Sequence, residues 1–199
     1  MKSIQIGDQI INQGFGRPYI IAEAGVNHEG DIEKARLMIS QAARAGANAI
    51  KFQTYKAETL ASRYSPSYWD TSKERTTSQF ELFKKYDVFG EKEYKEMAQW
   101  SREEGITFLS TPFDFDSIDF LEPLVPAYKI ASADINNTPF LKHIARKGKP
   151  IILSTGASTM SEIWKAVELF EKEGNEQIVL LHCVLNYPTP LEKANLKMI

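Results

Sequence analysis

The stretch PIILSTGASTMSEIWKAVELFEKEG, residues 150–174, joins a short apolar run to an amphipathic pattern. Its first part, Pro150–Leu153, has the length and apolar character of a buried parallel strand. Thr159 and Glu162 have the spacing of a capping box, and apolar residues then recur at helical intervals until Gly174. The stretch therefore predicts a strand, a turn and a helix, which together form one β/α unit.

Similar units recur along the whole chain. Six short apolar runs suit buried strands: Tyr19–Ala22, Ala49–Phe52, Thr107–Ser110, Ala127–Ile130, Pro150–Leu153 and Ile178–Leu181. Helical patterns lie between them, so the order β-α repeats six times and predicts a parallel sheet, either open and doubly wound or closed as a barrel. Before the first run, Ile4–Ile6 and Ile10–Ile11 predict a small β-hairpin.

The helix starts and one long connection complete the predicted layout. We predict N-caps at Asp31, Asp116 and Thr138, the last of which stands before a proline at the first helical position. The connection between the second and third strands, roughly residues 55–89, is much longer than the others. Connections of this length are usually functional loops or lids, and a surface insertion is the alternative.

Composition excludes several classes of protein. The 199 residues include 24 Lys+Arg, 26 Asp+Glu and one Cys, for a net charge of -2. This charge gives no electrostatic case for binding nucleic acid or an anionic membrane. A single cysteine excludes an internal disulfide and favours a reducing cytoplasm. No run of about 18 apolar residues is present, so the sequence predicts no membrane span.

Polar side chains gather where the predicted strands end. Catalytic residues of parallel β/α folds lie at the carboxyl ends of strands. The candidates at these ends are Glu23, Lys51, Gln53, Thr111, Lys129, Ser132, Asp134, Ser154, Asn186 and Tyr187.

Two lysines within apolar runs carry the chemical interpretation. Lys51 and Lys129 are costly to bury unless an anion pairs with them. With the nearby hydroxyls they predict a site for a small, multiply anionic ligand such as a phosphorylated carboxylate. Glu23 and Asp134 are candidates for acid/base groups. The alternatives are solvent-facing lysines on a sheet edge, or a lysine that forms a Schiff base in an aldolase.

Six segments in order resemble the sialic acid (N-acetylneuraminate) synthase family. They are IAEAGVNHEG at 21–30, KFQT at 51–54, LSTPF at 109–113, YKIASAD at 128–134, GKPIILSTG at 148–156, and LHC with NYPTP at 181–183 and 186–190. The resemblance runs from about residue 4 to residue 199 and identifies the family without specifying the acceptor sugar.

The resemblance implies a fold, a reaction and partners. The fold is a (β/α)8 TIM barrel, of which residues 1–199 supply about six β/α units as the N-terminal part, without the family's C-terminal antifreeze-like domain. The reaction is a transferase condensation of phosphoenolpyruvate with N-acetylmannosamine or a related acetamido sugar. It gives a nonulosonic acid and phosphate. A divalent metal (Mn or Mg) polarises the sugar aldehyde, its ligands lie outside this chain, and the complete enzyme is a homodimer.

The resemblance also assigns roles to the candidate residues. Glu23 and Gln53 match residues on the sugar side, and Asp134 matches a position where some members have Glu, which helps to deliver the attacking water. The residues that match the phosphoenolpyruvate-binding set are Lys51, Thr111, Lys129, Ser132, Ser154, Asn186 and Tyr187.

Three interpretations follow from the sequence. The first is a member of this synthase family, present as its N-terminal part and expected to be inactive if the 199 residues stand alone. The second is another phosphoenolpyruvate-dependent barrel enzyme or a Schiff-base aldolase. The third is a non-enzymatic remnant, which is either a binding module or a truncated product that needs a partner to complete its barrel.

Overall fold

The computed structural model describes residues 3–12 and 16–199, in which there are eight strands and seven α-helices. The strands are β1 Ser3–Ile6, β2 Gln9–Asn12, β3 Ile21–Gly25, β4 Ala49–Thr54, β5 Thr107–Pro112, β6 Tyr128–Ile130, β7 Ile151–Ser154 and β8 Ile178–Leu181. The helices are α1 Ile32–Arg44, α2 Ala57–Leu60, α3 Gln79–Tyr86, α4 Glu91–Glu103, α5 Phe115–Leu121, α6 Thr138–Ala145 and α7 Met160–Lys172. Within these described residues, no helix combines the length and the apolar character needed to cross a bilayer.

The chain divides into two compact units, each with its own parallel sheet. The first unit is Pro18–Val125, where β4 lies between β3 and β5. The second unit is Pro126–Ile199 with the segment up to Arg17, where β7 lies between β6 and β8 and where β1 pairs antiparallel with β2. The predicted α/β class with parallel strands is confirmed, while closure into a barrel stays a prediction.

All six apolar runs that predicted strands coincide with strands of these sheets. The largest difference is in β3, which begins at Ile21 rather than Tyr19 and continues to Gly25. The ladder to β4 begins only where Ile21 pairs with Ala49, because the N–H of Ile20 donates instead to the Asn48 side chain at 2.7 Å. Apolar character therefore located the strands, and local hydrogen bonding decides where they begin.

Two predicted helix starts are confirmed by their hydrogen bonds. The Asp31 carboxylate accepts the N–H of Glu33 at 2.9 Å and caps α1. At α7, the Glu162 carboxylate accepts the N–H of Thr159 at 2.7 Å, and the Thr159 hydroxyl accepts the N–H of Glu162 at 3.3 Å. These caps satisfy backbone donors that have no partner inside the helix.

Two predicted N-caps, Asp116 and Thr138, are wrong by one or two residues. The N-cap of α5 is Asp114, whose carboxylate accepts the N–H of Ser117 at 2.7 Å. The N-cap of α6 is Asn137, so the proline occupies the second helical position. In both cases the cap is the residue whose side chain reaches the N–H three positions later while its own backbone stays non-helical.

The long connection between β4 and β5 is ordered and contains α2 and α3, where the sequence suggested a loop. Its two ends meet at Asp87, whose side chain is only 3% exposed. One oxygen of this carboxylate accepts the Lys56 ammonium at 2.8 Å, and the other accepts the N–H of Ala57 at 2.9 Å. This buried carboxylate joins the end of the connection to its beginning.

A buried histidine links the turn after β3 to the segment before α4. His28 is 1% exposed and stacks on Phe89, with ring centroids 4.4 Å apart and planes inclined by 15°. Its Nδ1 accepts the N–H of Gly30 at 3.1 Å. Burial, assisted by the nearby charge of Lys34, lowers the pKa of His28 to about 4 from an ordinary value of 6.5.

We expect this histidine to make the free energy of unfolding fall as the pH drops from 6.5 towards 4. In that window the unfolded chain binds a proton at His28 that the folded chain excludes, because its folded pKa is about 4. The contribution to the slope is at most about 1.4 kcal/mol per pH unit. His28→Phe keeps an aromatic ring but does not titrate. Urea denaturation at several pH values should show that the free energy of unfolding depends less steeply on pH in this variant. An equal dependence on pH in both proteins would contradict the lowered pKa of His28.

Candidate functional site

Lys51 lies in the central strand of the first sheet and points towards the carboxyl end of its neighbour. It pairs in register with Leu109 on β5, and its Nζ lies 3.4 Å from the hydroxyl of Thr111, two residues further along. Residues two apart share one face of a strand. Lys51 is 7% exposed and forms an ion pair with the Glu23 carboxylate on β3. We call Glu23, Lys51, Gln53 and Thr111 the Lys51 cluster.

A glycine brings two members of the Lys51 cluster together. Gly25 has a φ of +52° and follows a register shift at the end of β3. A Cβ atom at this position would lie 3.3 Å from Oε1 of Glu23 and 3.8 Å from Nε2 of Gln53. The carboxylate and the amide therefore both approach the space that the glycine leaves open.

The backbone beside Gln53 is held by a tyrosine from α4. The hydroxyl of Tyr94 donates to the carbonyl oxygen of Gln53 at 2.7 Å. Burial raises the pKa of Tyr94, so its phenol remains a donor at neutral pH. This hydrogen bond fixes the end of β4, from which Gln53 projects.

Lys129 repeats the geometry of Lys51 in the second sheet. It pairs in register with Ile152 on β7, and its Nζ donates at 2.6 Å to the hydroxyl of Ser154, two residues further along. The same ammonium donates to the carbonyl oxygen of Ile130 at 2.9 Å, and Lys129 is 7% exposed. We call Lys129, Ser132 and Ser154 the Lys129 cluster.

Ser132 is connected to the Lys129 cluster by a hydrogen bond with the turn that follows β7. It begins a short 3-10 turn, Ser132–Asp134, directly after β6. Its hydroxyl oxygen accepts the N–H of Gly156 at 2.9 Å. A hydroxyl that accepts one hydrogen bond keeps its own hydrogen for donation. Ser132 and Ser154 are thus two hydroxyls near the carboxyl ends of neighbouring strands.

Asp134 is a partly buried carboxyl group with one oxygen engaged. Nδ2 of Asn137 lies 3.4 Å from Oδ1, whereas no described residue gives the buried Oδ2 a hydrogen-bond partner. Burial raises the pKa of Asp134, and the Asn137 contact offsets part of that increase. Such a carboxyl group holds a proton at a higher pH than an ordinary aspartate does.

Asn186 and Tyr187 lie in the segment that follows β8. The Tyr187 side chain is 86% exposed, and Asn186 is half-buried in the segment after β8. Among residues 3–12 and 16–199, no hydrogen bond joins either side chain to the Lys129 cluster. The structure therefore brings Lys129 and Ser154 together and connects Ser132 to the turn after β7. It shows no such contact for the side chains of Asn186 and Tyr187 among the described residues.

The part of the chain that the structure describes does not fit a metal site. It contains no group of three or more His, Cys, Asp or Glu side chains that could hold an ion. The Lys51 and Lys129 clusters instead present ammonium and hydroxyl donors, which suit an anionic ligand.

Sequence reasoning missed three residues that shape the clusters. Gly25, Tyr94 and Gly156 act through contacts with residues far away in the chain. A glycine after a strand indicates a turn, and no local pattern specifies which side chain fills the space beside it. The Tyr94 contact depends on how α4 packs against β4, which only the fold determines.

Comparison with known proteins identifies the family. The sequence profile described as "NeuB family" matches residues 38–199. The solved N-acetylneuraminic acid (sialic acid) synthetase from Leptospira borgpetersenii serovar Hardjo-bovis, in complex with citrate, has a TM-score of 0.87 and 39% identity. That alignment covers 100% of this chain and 65% of the Leptospira chain.

Two curated relatives also support membership of this family. The chain is 40% identical to the N,N'-diacetyllegionaminic acid synthase of Legionella pneumophila, covering 90% of this chain and 52% of that protein. It is 38% identical to the spore coat polysaccharide biosynthesis protein SpsE of Bacillus subtilis, and that alignment covers 96% of this chain and 52% of SpsE. The chain thus spans about half the length of the curated relatives it matches. The resemblance to sialic acid synthases is confirmed, and the chain belongs to the NeuB family.

Proposed function

We propose that the protein carrying this chain condenses phosphoenolpyruvate with N-acetylmannosamine or a related acetamido sugar. The products are a nonulosonic acid and inorganic phosphate. Membership of the NeuB family supports the reaction class. The observation that carries the proposal is the buried Lys129 ammonium, which has the Ser154 hydroxyl 2.6 Å away at the carboxyl end of a parallel strand.

The Lys129 cluster is proposed to bind an anionic group of phosphoenolpyruvate. A buried ammonium is costly without compensating charge, so an anion that contacts Lys129 gains a strong interaction. The hydroxyls of Ser132 and Ser154 add two donors, because each oxygen accepts one hydrogen bond, from the Gly156 N–H or from the lysine, and keeps its own hydrogen. Hydrogen bonds to charged groups contribute about 1.5–3 kcal/mol each.

The remaining ligand contacts are proposed from family membership alone. Lys51, Thr111, Asn186 and Tyr187 match the set that binds phosphoenolpyruvate. Glu23 and Gln53 match the sugar side, which agrees with a carboxylate and an amide that face the same space beside Gly25. We also propose a cytoplasmic homodimer for the full-length protein.

The proposed reaction forms no covalent intermediate with the protein. C3 of phosphoenolpyruvate attacks the aldehyde carbon of the open-chain sugar, a carbon–carbon bond forms, and the aldehyde oxygen takes a proton. Water adds to C2, and loss of the C2 phosphate group as inorganic phosphate leaves the 2-keto acid. Asp134 accepts the proton of the attacking water, and Lys129 stabilises the charge of the departing phosphate.

A divalent metal has no assigned step in this proposal. Residues 3–12 and 16–199 contain no fitting group of ligands. The manganese or magnesium ion expected from the resemblance is therefore proposed only for the full-length protein, with ligands beyond those residues.

The reaction class is tested by incubating the full-length protein with phosphoenolpyruvate and N-acetylmannosamine. We expect one inorganic phosphate for each nine-carbon keto acid, measured by a phosphate assay and mass spectrometry. Borohydride should trap no lysine adduct, because the proposed reaction forms no Schiff base. A trapped adduct at Lys51 or Lys129 without phosphate release would establish the aldolase alternative instead.

Lys129→Met tests the anion contact directly. We expect affinity for phosphoenolpyruvate to fall at least about tenfold, because a loss of about 1.4 kcal/mol or more is typical when a charged hydrogen-bond donor is removed. Isothermal titration measures the affinity, and Lys165→Met, at an exposed lysine of α7, is the matched control. Equal affinity in the two variants would show that Lys129 does not contact the ligand.

The raised pKa of Asp134 predicts a pH dependence for catalysis. As a base, Asp134 must be deprotonated, so kcat/KM should fall as the pH drops through its pKa, which lies above the ordinary 3.8. Asp134→Asn should lower kcat by about 100-fold or more, which is typical for a general base. Asp134→Glu should keep part of the activity, and the fall of its kcat/KM at low pH should occur at a different pH. An unchanged pH profile in Asp134→Glu would argue against this role.

A further inference from the structure

We infer that Gly156 is a positioning residue for the Lys129 cluster, setting the direction of the Ser132 hydroxyl and the path of the segment 183–187. This inference rests on the proposed function, since it concerns the same phosphoenolpyruvate site. Gly156 itself has no side chain to contact a ligand, so it acts through its neighbours.

The surroundings of Gly156 leave little room for a side chain. A Cβ atom built on it would lie 3.0 Å from Oγ of Ser132, 3.3 Å from the backbone nitrogen of Leu185 and 3.4 Å from Cβ of Cys183. Real Cβ contacts are almost never shorter than 3.0 Å and seldom shorter than 3.4 Å. A glycine lets the turn after β7 approach both the turn after β6 and the segment after β8 without displacing either of them.

The close approach has a directional consequence for Ser132. With no Cβ in the way, the N–H of Gly156 donates to the Ser132 hydroxyl at 2.9 Å. That bond occupies one lone pair of the oxygen and leaves its hydrogen to point elsewhere. A methyl group on Gly156 would press on the Ser132 hydroxyl, which would have to shift and so weaken or break this bond.

The second neighbour is backbone and cannot rotate away. The nitrogen of Leu185 belongs to the segment that carries Asn186 and Tyr187, two of the residues matched to phosphoenolpyruvate binding. Its displacement by a few tenths of an ångström therefore moves the whole segment. Thr155 ties the same turn to β8, since its hydroxyl donates to the Leu181 carbonyl at 2.8 Å. Thr155 thus holds the end of β8, from which the segment continues, and Gly156 limits how closely the segment itself approaches.

Gly156→Ala in the full-length protein tests the inference through phosphoenolpyruvate affinity. We expect a weakening of about tenfold, comparable to losing one charged hydrogen bond. Gly16→Ala is the matched control, because a Cβ at Gly16 meets no described atom within 4 Å. It should change the affinity less than about twofold.

A double-mutant cycle separates action through Ser132 from general disruption. Residues that act through one contact show non-additive effects. Gly156→Ala should therefore cost less in the Ser132→Ala background than in the unsubstituted protein. If Gly156→Ala alone fails to fold, Ser132→Ala removes the 3.0 Å contact and should restore the melting transition. Additive losses, or a failure to restore folding, would overturn the inference.

Cys183 gives a readout that does not depend on ligand. It is half-buried beside Gly156, and its alkylation rate can be followed by peptide mass spectrometry. Displacement of the segment in Gly156→Ala should raise this rate several-fold, whereas Gly16→Ala should leave it unchanged. Unchanged alkylation together with unchanged affinity refutes the positioning role. If the unsubstituted protein binds no phosphoenolpyruvate, the proposed function fails, whereas a raised alkylation rate in Gly156→Ala would still support the effect of Gly156 on the path of the segment 183–187.

Discussion

The burial of a lysine ammonium at the carboxyl end of a parallel strand is the constraint on which both clusters depend. Lys51 and Lys129 are each 7% exposed, and an uncompensated charge at such a position costs several kcal/mol. Each lysine therefore needs polar neighbours that the fold must supply. Thr111 and Ser154 fill this requirement from the adjacent strands, and Glu23 adds a carboxylate to Lys51.

The strand register explains why the same arrangement occurs twice. In each sheet the hydroxyl stands two residues beyond the register partner of the lysine, on the next strand. A shift of two keeps both side chains on one face, and the long lysine side chain spans the distance along the strand. A shift of one residue would turn Thr111 or Ser154 to the opposite face and leave the ammonium without that partner. The parallel ladder, rather than any loop, thus determines the donor geometry.

This dependence on register shows how far the sequence could predict the structure. Apolar runs sufficed for the six strands, and the place of Lys51 and Lys129 within those runs raised burial as one of the alternatives, which the 7% exposure of each lysine agrees with. The caps of α5 and α6 were misplaced because several polar residues competed within a few positions, and only backbone geometry chooses among them. The sequence could not predict the role of Gly156, because its contacts to Ser132 and Leu185 join residues that follow three different strands.

The ion pair of Lys51 shows how such a cluster can be stable and still open to a ligand. The Glu23 side chain is 55% exposed, whereas that of Lys51 is almost covered. Water therefore solvates the carboxylate, so Glu23 can leave the pair without becoming a buried, unpaired charge itself. The buried ammonium has much less of such solvation and gains more from a partner of opposite charge. An arriving anion can then take the place of Glu23, because the exchange leaves Lys51 paired and releases a carboxylate that water already stabilises.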